Sequence, residues 1–197
     1  MDRISRTFLL EVSPGRVIPY QFQTFSHVFI SDVLDDKDNV RLHLAQVMIQ
    51  GIEQRKTTAT SGKILMLERD LPADSLSVHL REMAERANYR RFGGKSQHKL
   101  LQEHCLDYSP YALATEIPVW DDDPEGMMGF MDLLMYFEGG YVICDFKPNA
   151  VKENPRKVLS QLYYYVKMFE QRTGIRARAL YFDENITYEL CLPSKIS

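Results

Sequence analysis

Two carboxylates and a lysine share the most regular stretch of the chain, Gly129 to Lys147 (GFMDLLMYFEGGYVICDFK). Asp132 stands among Phe130, Met131, Leu133 and Leu134, where an unpaired carboxylate costs roughly several kcal/mol of desolvation unless a cation or a donor satisfies it. Asp145 and Lys147 follow two residues apart. Two such carboxylates with a lysine beside them suit a cation and a polyanionic substrate. The bland alternative is a hairpin whose acids pair with basic neighbours.

A hairpin must position these groups. Phe130 to Glu138 and Tyr141 to Lys147 are runs of aromatic and aliphatic residues, separated by Gly139-Gly140, which can take the positive φ angles of a two-residue turn. Side chains alternate along a strand, so Tyr141, Ile143, Asp145 and Lys147 share one face, and Val142, Cys144 and Phe146 the other. Asp145 and Lys147 therefore sit side by side.

The elements around the hairpin carry further polar residues at unusual places. Tyr111 to Trp120 (YALATEIPVW) reads as a strand in which Ala114 and Glu116 share a face opposite Thr115 and Ile117, which sets a glutamate inside an apolar strand or on a solvated edge. The loop DDDPEG at 121–126 is acidic but lacks the spacing of an EF-hand. Before that strand, Lys95 to about Cys105 reads as a helix with Leu100, Leu101 and Cys105 inward, and it carries His98 near its start and His104 later. After Lys147, Asn154-Pro155 opens a helix that runs to Thr173 and stops at Gly174. Val158, Leu162, Val166 and Phe169 form its apolar stripe, with Gln161 and Tyr165 four residues apart at the edge. Arg176 to Phe182 and Ile186 to Leu190 read as a closing strand pair.

The first third holds no recognisable chemistry. Residues 6–34 suggest one or two short strands, Val40 to Arg55 a helix, and Gly62 to Arg69 a strand. Asp74 or Ser75 then opens a helix through about Arg91, with Leu76, Leu80, Met83 or Ala84, and Ala87 inside. The expected division is an α+β extension over 1–74 and a core over 75–197, whether or not the two form one compact unit.

The spacing G-x-x-D (Gly129, Asp132), thirteen positions, then D-x-K (Asp145, Lys147) resembles the core of the PD-(D/E)XK nuclease superfamily, specifically its RecB-like branch. Gly94 to His98 (G-x-x-x-H), Glu116, and Gln161 with Tyr165 (Q-x-x-x-Y) fall in the order that branch follows, and the resemblance covers about half the chain. It implies a restriction-endonuclease-like α/β fold with an αβββαβ core, a central mixed sheet flanked by helices. It also implies that Asp132, Asp145 and the backbone carbonyl of Phe146 hold one or two Mg2+ or Mn2+ ions, with His98 and Glu116 completing the shell. Lys147 would orient the attacking water or offset developing charge, while Gln161 and Tyr165 position water or phosphate. The implied activity is hydrolysis of phosphodiester bonds in DNA, at ends or on single strands. An endonuclease of the same fold acting on DNA or RNA, and a non-catalytic nucleic-acid-binding module, are the alternatives. CRISPR-associated members of the branch typically bind an iron-sulfur cluster through cysteines before and after the core. Cys105, Cys144 and Cys191 offer no such set, so no cluster is expected.

Composition bounds the rest. The chain has 197 residues, 45% hydrophobic and 26% charged, enough for one well-cored domain. No apolar run approaches the roughly 20 residues that span a bilayer, and the N-terminus lacks signal-peptide features, so a cytoplasmic protein with reduced thiols is expected. The formal net charge of −3 does not advertise a nucleic-acid binder, but its distribution is uneven. Arg86, Arg90, Arg91, Lys95 and Lys99 form an acid-free stretch, and Arg172, Arg176 and Arg178 another. From these, Arg90, Arg91, Lys95, Lys99 and Arg172 are the candidates for holding a DNA strand. The sequence leaves open protein partners of the N-terminal third, self-association, and the setting, whether repair, recombination, a virus or plasmid, or immunity.

Overall fold

The structure is a computed structural model that describes residues 5–13, 16–23, 56–57, 67–70, 75–88, 96–121 and 127–191. In chain order they form β1 (Ser5–Ser13), β2 (Arg16–Gln23), β3 (Lys56–Thr57), β4 (Leu67–Asp70), α1 (Ser75–Asn88), α2 (Gln97–Tyr108), β5 (Ala112–Trp120), β6 (Met127–Phe137) and β7 (Gly140–Phe146). A short 3-10 turn (Ala150–Lys152), α3 (Pro155–Thr173), β8 (Arg178–Phe182) and β9 (Thr187–Cys191) follow. From α2 onward, the order of helix, three strands, helix and two strands is the one expected. The helix expected over Val40 to Arg55, the segment from 89 to 95, the strand start at 62–66 and the loop 122–126 lie outside the described residues.

The fold is α/β, with a mixed sheet flanked by helices. Its centre runs β5-β6-β7-β8-β9, antiparallel throughout except for β7 and β8, which are parallel and joined through α3. A parallel neighbour requires a crossover, and α3 supplies it. The extension strands join the same sheet: the β1–β2 hairpin adds to β5 through Gln21↔Thr115 and Phe22↔Ala114, and β4 pairs with β9.

Alternation decides what each face of the hairpin buries. Tyr141 and Ile143 pack on the side covered by α3, against Val158, Leu162, Val166 and Phe169, whereas Val142, Cys144 and Phe146 pack under α1 and α2, against Leu76, Leu80, Leu101 and Cys105. Each fully buried aliphatic or aromatic side chain contributes about 1.5–3 kcal/mol relative to exposure, so both layers are needed to hold the sheet. Helix α3 begins and ends where its sequence dictates. Asn154 accepts from Arg156 N–H at 3.1 Å, Pro155 occupies the first turn, and Gly174 closes the helix at φ 73°. Among the described residues no helix is long and apolar enough to cross a membrane.

The hairpin turn differs from expectation by one residue. Phe137 pairs with Gly140, so the loop is Glu138-Gly139 and not Gly139-Gly140. Both loop residues take positive φ, 47° and 84°, the pattern of a type I′ turn. A glutamate bears one of these angles, and the second glycine becomes the first residue of β7.

Candidate functional site

The register of the hairpin brings the two aspartates together. Leu133 pairs with Cys144, and one step further along both strands Asp132 stands across from Asp145. The Phe146 N–H donates to Asp132 Oδ2 at 3.0 Å, which fixes that carboxylate against the end of β7. Lys147 Nζ lies 2.7 Å from Asp145 Oδ2, side by side as the alternation requires. Asp145 is nearly sealed, with its side chain 2% exposed, whereas Asp132 keeps 17% of its side-chain surface open.

Two helices close on this pair from opposite sides of the sheet. From α2, His98 Nδ1 lies 3.2 Å from Asp132 Oδ2, and its ring rests edge-on against Phe146 at 5.3 Å. Ser96 caps α2 by accepting from Lys99 N–H at 3.3 Å, which sets His98 in the first turn, facing the sheet. His104, later on the same helix, instead packs its ring against Tyr108, with centroids 4.7 Å apart. From α3, Gln161 Nε2 donates to the Tyr165 hydroxyl at 2.7 Å, and Tyr165 is buried beside both aspartates.

Glu116 reaches the site by a route that strict alternation missed. It was expected to share a face with Ala114, yet Ala114, Ile117 and Val119 all pack in the core under α3. The cause is a positive φ of 53° at Glu116, which resets the alternation between Thr115 and Ile117. On the β5–β6 ladder Thr115 pairs with Leu133 and Ile117 with Met131, so Glu116 and Asp132 stand opposite without pairing. Left-handed backbone at a residue with a side chain costs about 1–3 kcal/mol and tends to occur at functional sites. Gln102 answers it: its Nε2 donates to Glu116 Oε1 at 2.6 Å and lies 3.4 Å from the Asp132 carbonyl oxygen.

Sequence reasoning did not single out Gln102. It is one helical turn after His98 and shares its face, a signal available only once His98 is placed. The role of Gly129 was also hidden. A Cβ there would overlap the Tyr165 ring, so the glycine of G-x-x-D and the tyrosine of Q-x-x-x-Y are two halves of one contact.

Charges in this cluster are unequally shared. Burial and the neighbouring Asp132 charge push the Asp145 carboxyl well above the ordinary carboxylate range, more than Lys147 offsets. Burial also works against ionised Asp132, but its hydrogen bond and attraction to His98, its hydrogen bond with Asp145 and the Lys147 ammonium outweigh it and hold that carboxyl low. The two carboxyls are thus pushed in opposite directions, Asp145 up and Asp132 down, as expected when like charges meet in a low-dielectric site. Burial raises Glu116 against the Gln102 hydrogen bond, with the Asp132 charge adding to the rise. Burial pulls Lys147 down, but Asp145, Asp132 and Glu153 together overcome this and keep it cationic. Burial and the two aspartates push the Tyr165 phenol up, so it remains a neutral hydroxyl.

The donor set suits a hard divalent cation, with carboxylate oxygens on three neighbouring strands and an imidazole beside them. A cation there would offset the repulsion between the Asp132 and Asp145 carboxylates. As the side chains stand they are tied to one another, and among the described residues no three His, Cys, Asp or Glu side chains gather closely enough to enclose an ion. Of the basic candidates, the two among the described residues are not part of this group. Arg172 turns its guanidinium over the Trp120 ring at 5.3 Å, Lys99 follows His98 on α2, and Arg90, Arg91 and Lys95 lie outside the described residues. Comparison with protein-family models, characterised proteins and solved structures finds no match.

Proposed function

We propose that this chain is a metal-dependent nuclease of the PD-(D/E)XK superfamily, RecB-like branch, with a restriction-endonuclease-like core, hydrolysing phosphodiester bonds in DNA. The observation that carries the reading is the Asp132–Asp145 pair, opposed across a hairpin and flanked by Lys147, His98, Gln161 and Tyr165 in the order of that branch. Asp132, Asp145 and the Phe146 carbonyl would hold Mg2+ or Mn2+, with His98 and Glu116 nearby. When bound, the cation supplies electrophilic assistance at the phosphate and makes water a better nucleophile.

The chain's own residues do the rest. Lys147, kept cationic by its carboxylate neighbours, offsets negative charge gathering on the phosphate oxygens or orients the attacking water. The Tyr165 hydroxyl, neutral and fixed by Gln161, offers a hydrogen-bonding group at the edge of the same site. Gln102 holds Glu116 in its strained position, and the Phe146 amide orients Asp132. The Gly129 contact locks Tyr165 over β6. Deoxyribonucleic acid, as single strands or duplex ends, is the proposed partner.

A second reading has its own support. The interlocking pairs His98–Asp132, Lys147–Asp145 and Gln102–Glu116 satisfy the site internally, as a nucleic-acid-binding module without chemistry would. End-labelled linear single-stranded and duplex DNA, closed circular DNA and RNA, each incubated with EDTA, Mg2+ or Mn2+, separate the readings. Metal-dependent cutting supports the nuclease, and uncut closed circles mark it as end-dependent. Metal-independent binding of folded protein to DNA with no cutting of any substrate supports the module.

A further inference from the structure

Outside the carboxylate cluster, charge is unevenly distributed on α3 and its flanks. Between Lys147 and Arg178 there are eight basic residues and two acidic ones, in a chain whose formal net charge is −3. Arg156, Lys157 and Lys167 of this helix are exposed, and Tyr163 and Tyr164 are half-buried between them. Lys167 Nζ sits 5.4 Å from the Tyr163 ring centre, and Tyr163 meets Tyr164 edge-on at 5.6 Å, so the aromatic pair is braced.

The position of this stripe relative to the site is set by helical spacing. Lys157 is one turn before Gln161 and Tyr164 one turn after it, so both flank the residue whose amide holds Tyr165 beside the aspartates. From Lys157 to Lys167 the helix advances ~15 Å, a span of a few nucleotides. A polyanion leaving the carboxylate site along this edge meets cations at both ends and an aromatic side chain between. Only a strand with unpaired bases can use the aromatic: base faces in a duplex are already stacked on each other.

We propose that the α3 edge formed by Lys157, Gln161 and Tyr164, backed by Tyr163 and Lys167, is a binding path for single-stranded nucleic acid leading into the Asp132–Asp145 site. Lys157 and Lys167 neutralise phosphates, and Tyr164 stacks on a base. The proposal rests on the nuclease reading for what happens at the end of the path, but binding itself requires no cation and no cleavage.

The test is fluorescence anisotropy of a short labelled oligothymidylate in EDTA, alongside its duplex and the same strand with abasic sites, using the full chain. Wild type should bind the single strand more tightly than the duplex and lose affinity for the abasic strand. Tyr164→Ala should weaken single-strand binding by about five- to a hundredfold, with Tyr164→Phe restoring it. Lys157→Ala should weaken it less and lower the salt slope by about 0.7. Tyr164→Leu, which keeps apolar packing without the aromatic face, guards against a mere folding defect. Wild-type affinity in folded Tyr164→Leu, equal binding of abasic and intact strands, or preference for duplex would overturn the path. Cleavage is scored separately. A Tyr164-dependent binder that never cuts sinks the nuclease reading and keeps the path, whereas a metal-dependent cutter indifferent to Tyr164 does the reverse.

Discussion

Replacing Gly129 by alanine adds one carbon to the molecule, at the point where two site motifs touch. The backbone at Gly129 lies in a regular ladder, opposite Val119, so alanine is not excluded by φ. The obstacle is the Tyr165 ring, which occupies the space of the new Cβ. Tyr165 is 3% exposed and packed within the α3-side core, so its ring has little room to retreat. Overpacking of this kind costs about 1–3 kcal/mol. Displacing the ring also loosens the 2.7 Å hydrogen bond from Gln161, worth about 1 kcal/mol. A total of about 2–4 kcal/mol lowers the melting temperature of a domain this size by about 4–16 °C. The assay is a double-mutant cycle by thermal or urea denaturation, with Gly129→Ala made in wild type and in Tyr165→Ala. The penalty should largely vanish once the ring is gone. An equal penalty in both backgrounds, or a Gly129→Ala protein that melts with wild type, would refute the argument that this glycine exists to admit Tyr165.

Three further outcomes follow from the charges and contacts of the site. In EDTA, Asp145 keeps a proton in the folded protein that it has lost in the unfolded chain above the ordinary carboxylate range, so the native state binds more protons. Its contribution therefore makes stability fall as pH rises from that range toward the raised value, and Asp145→Asn should flatten this part of a melting-temperature profile; an unchanged slope would refute the raised Asp145 carboxyl. Lys147→Ala should reduce the cleavage rate by about 100- to 1,000-fold, and Lys147→Arg should not restore it, because a planar guanidinium does not reproduce a point charge 2.7 Å from Asp145; single-turnover kinetics would measure both. His98→Ala should weaken Mn2+ binding by about 10- to 100-fold, read by calorimetric titration, since the imidazole 3.2 Å from Asp132 is lost; unchanged affinity would make His98 a bystander.

The parts of this site that were legible in the sequence are those fixed by local rules. Alternation alone put Asp145 beside Lys147, and helix spacing alone put Gln161 beside Tyr165. Asn154-Pro155 and Gly174 bounded α3, because capping chemistry depends only on neighbouring residues. The failures share a different origin. Glu116 departs from alternation because its backbone enters the left-handed region, which no residue type in YALATEIPVW announces. Gln102 matters only because α2 packs against both β5 and β6, and Gly129 only because α3 lays Tyr165 across β6; both are consequences of tertiary packing. The turn moved by one residue because Glu138 accepted a conformation usually left to glycine.

The central claim is that Asp132 and Asp145 form a cation site for phosphodiester hydrolysis. Its most direct measurement is cleavage of a labelled single-stranded oligonucleotide by EDTA-stripped protein, before and after Mn2+ is restored, for wild type and for Asp132→Ala of verified fold. The account predicts cutting only by wild type and only with the ion. Cutting in EDTA, or a folded Asp132→Ala protein that cuts as wild type does, would contradict it.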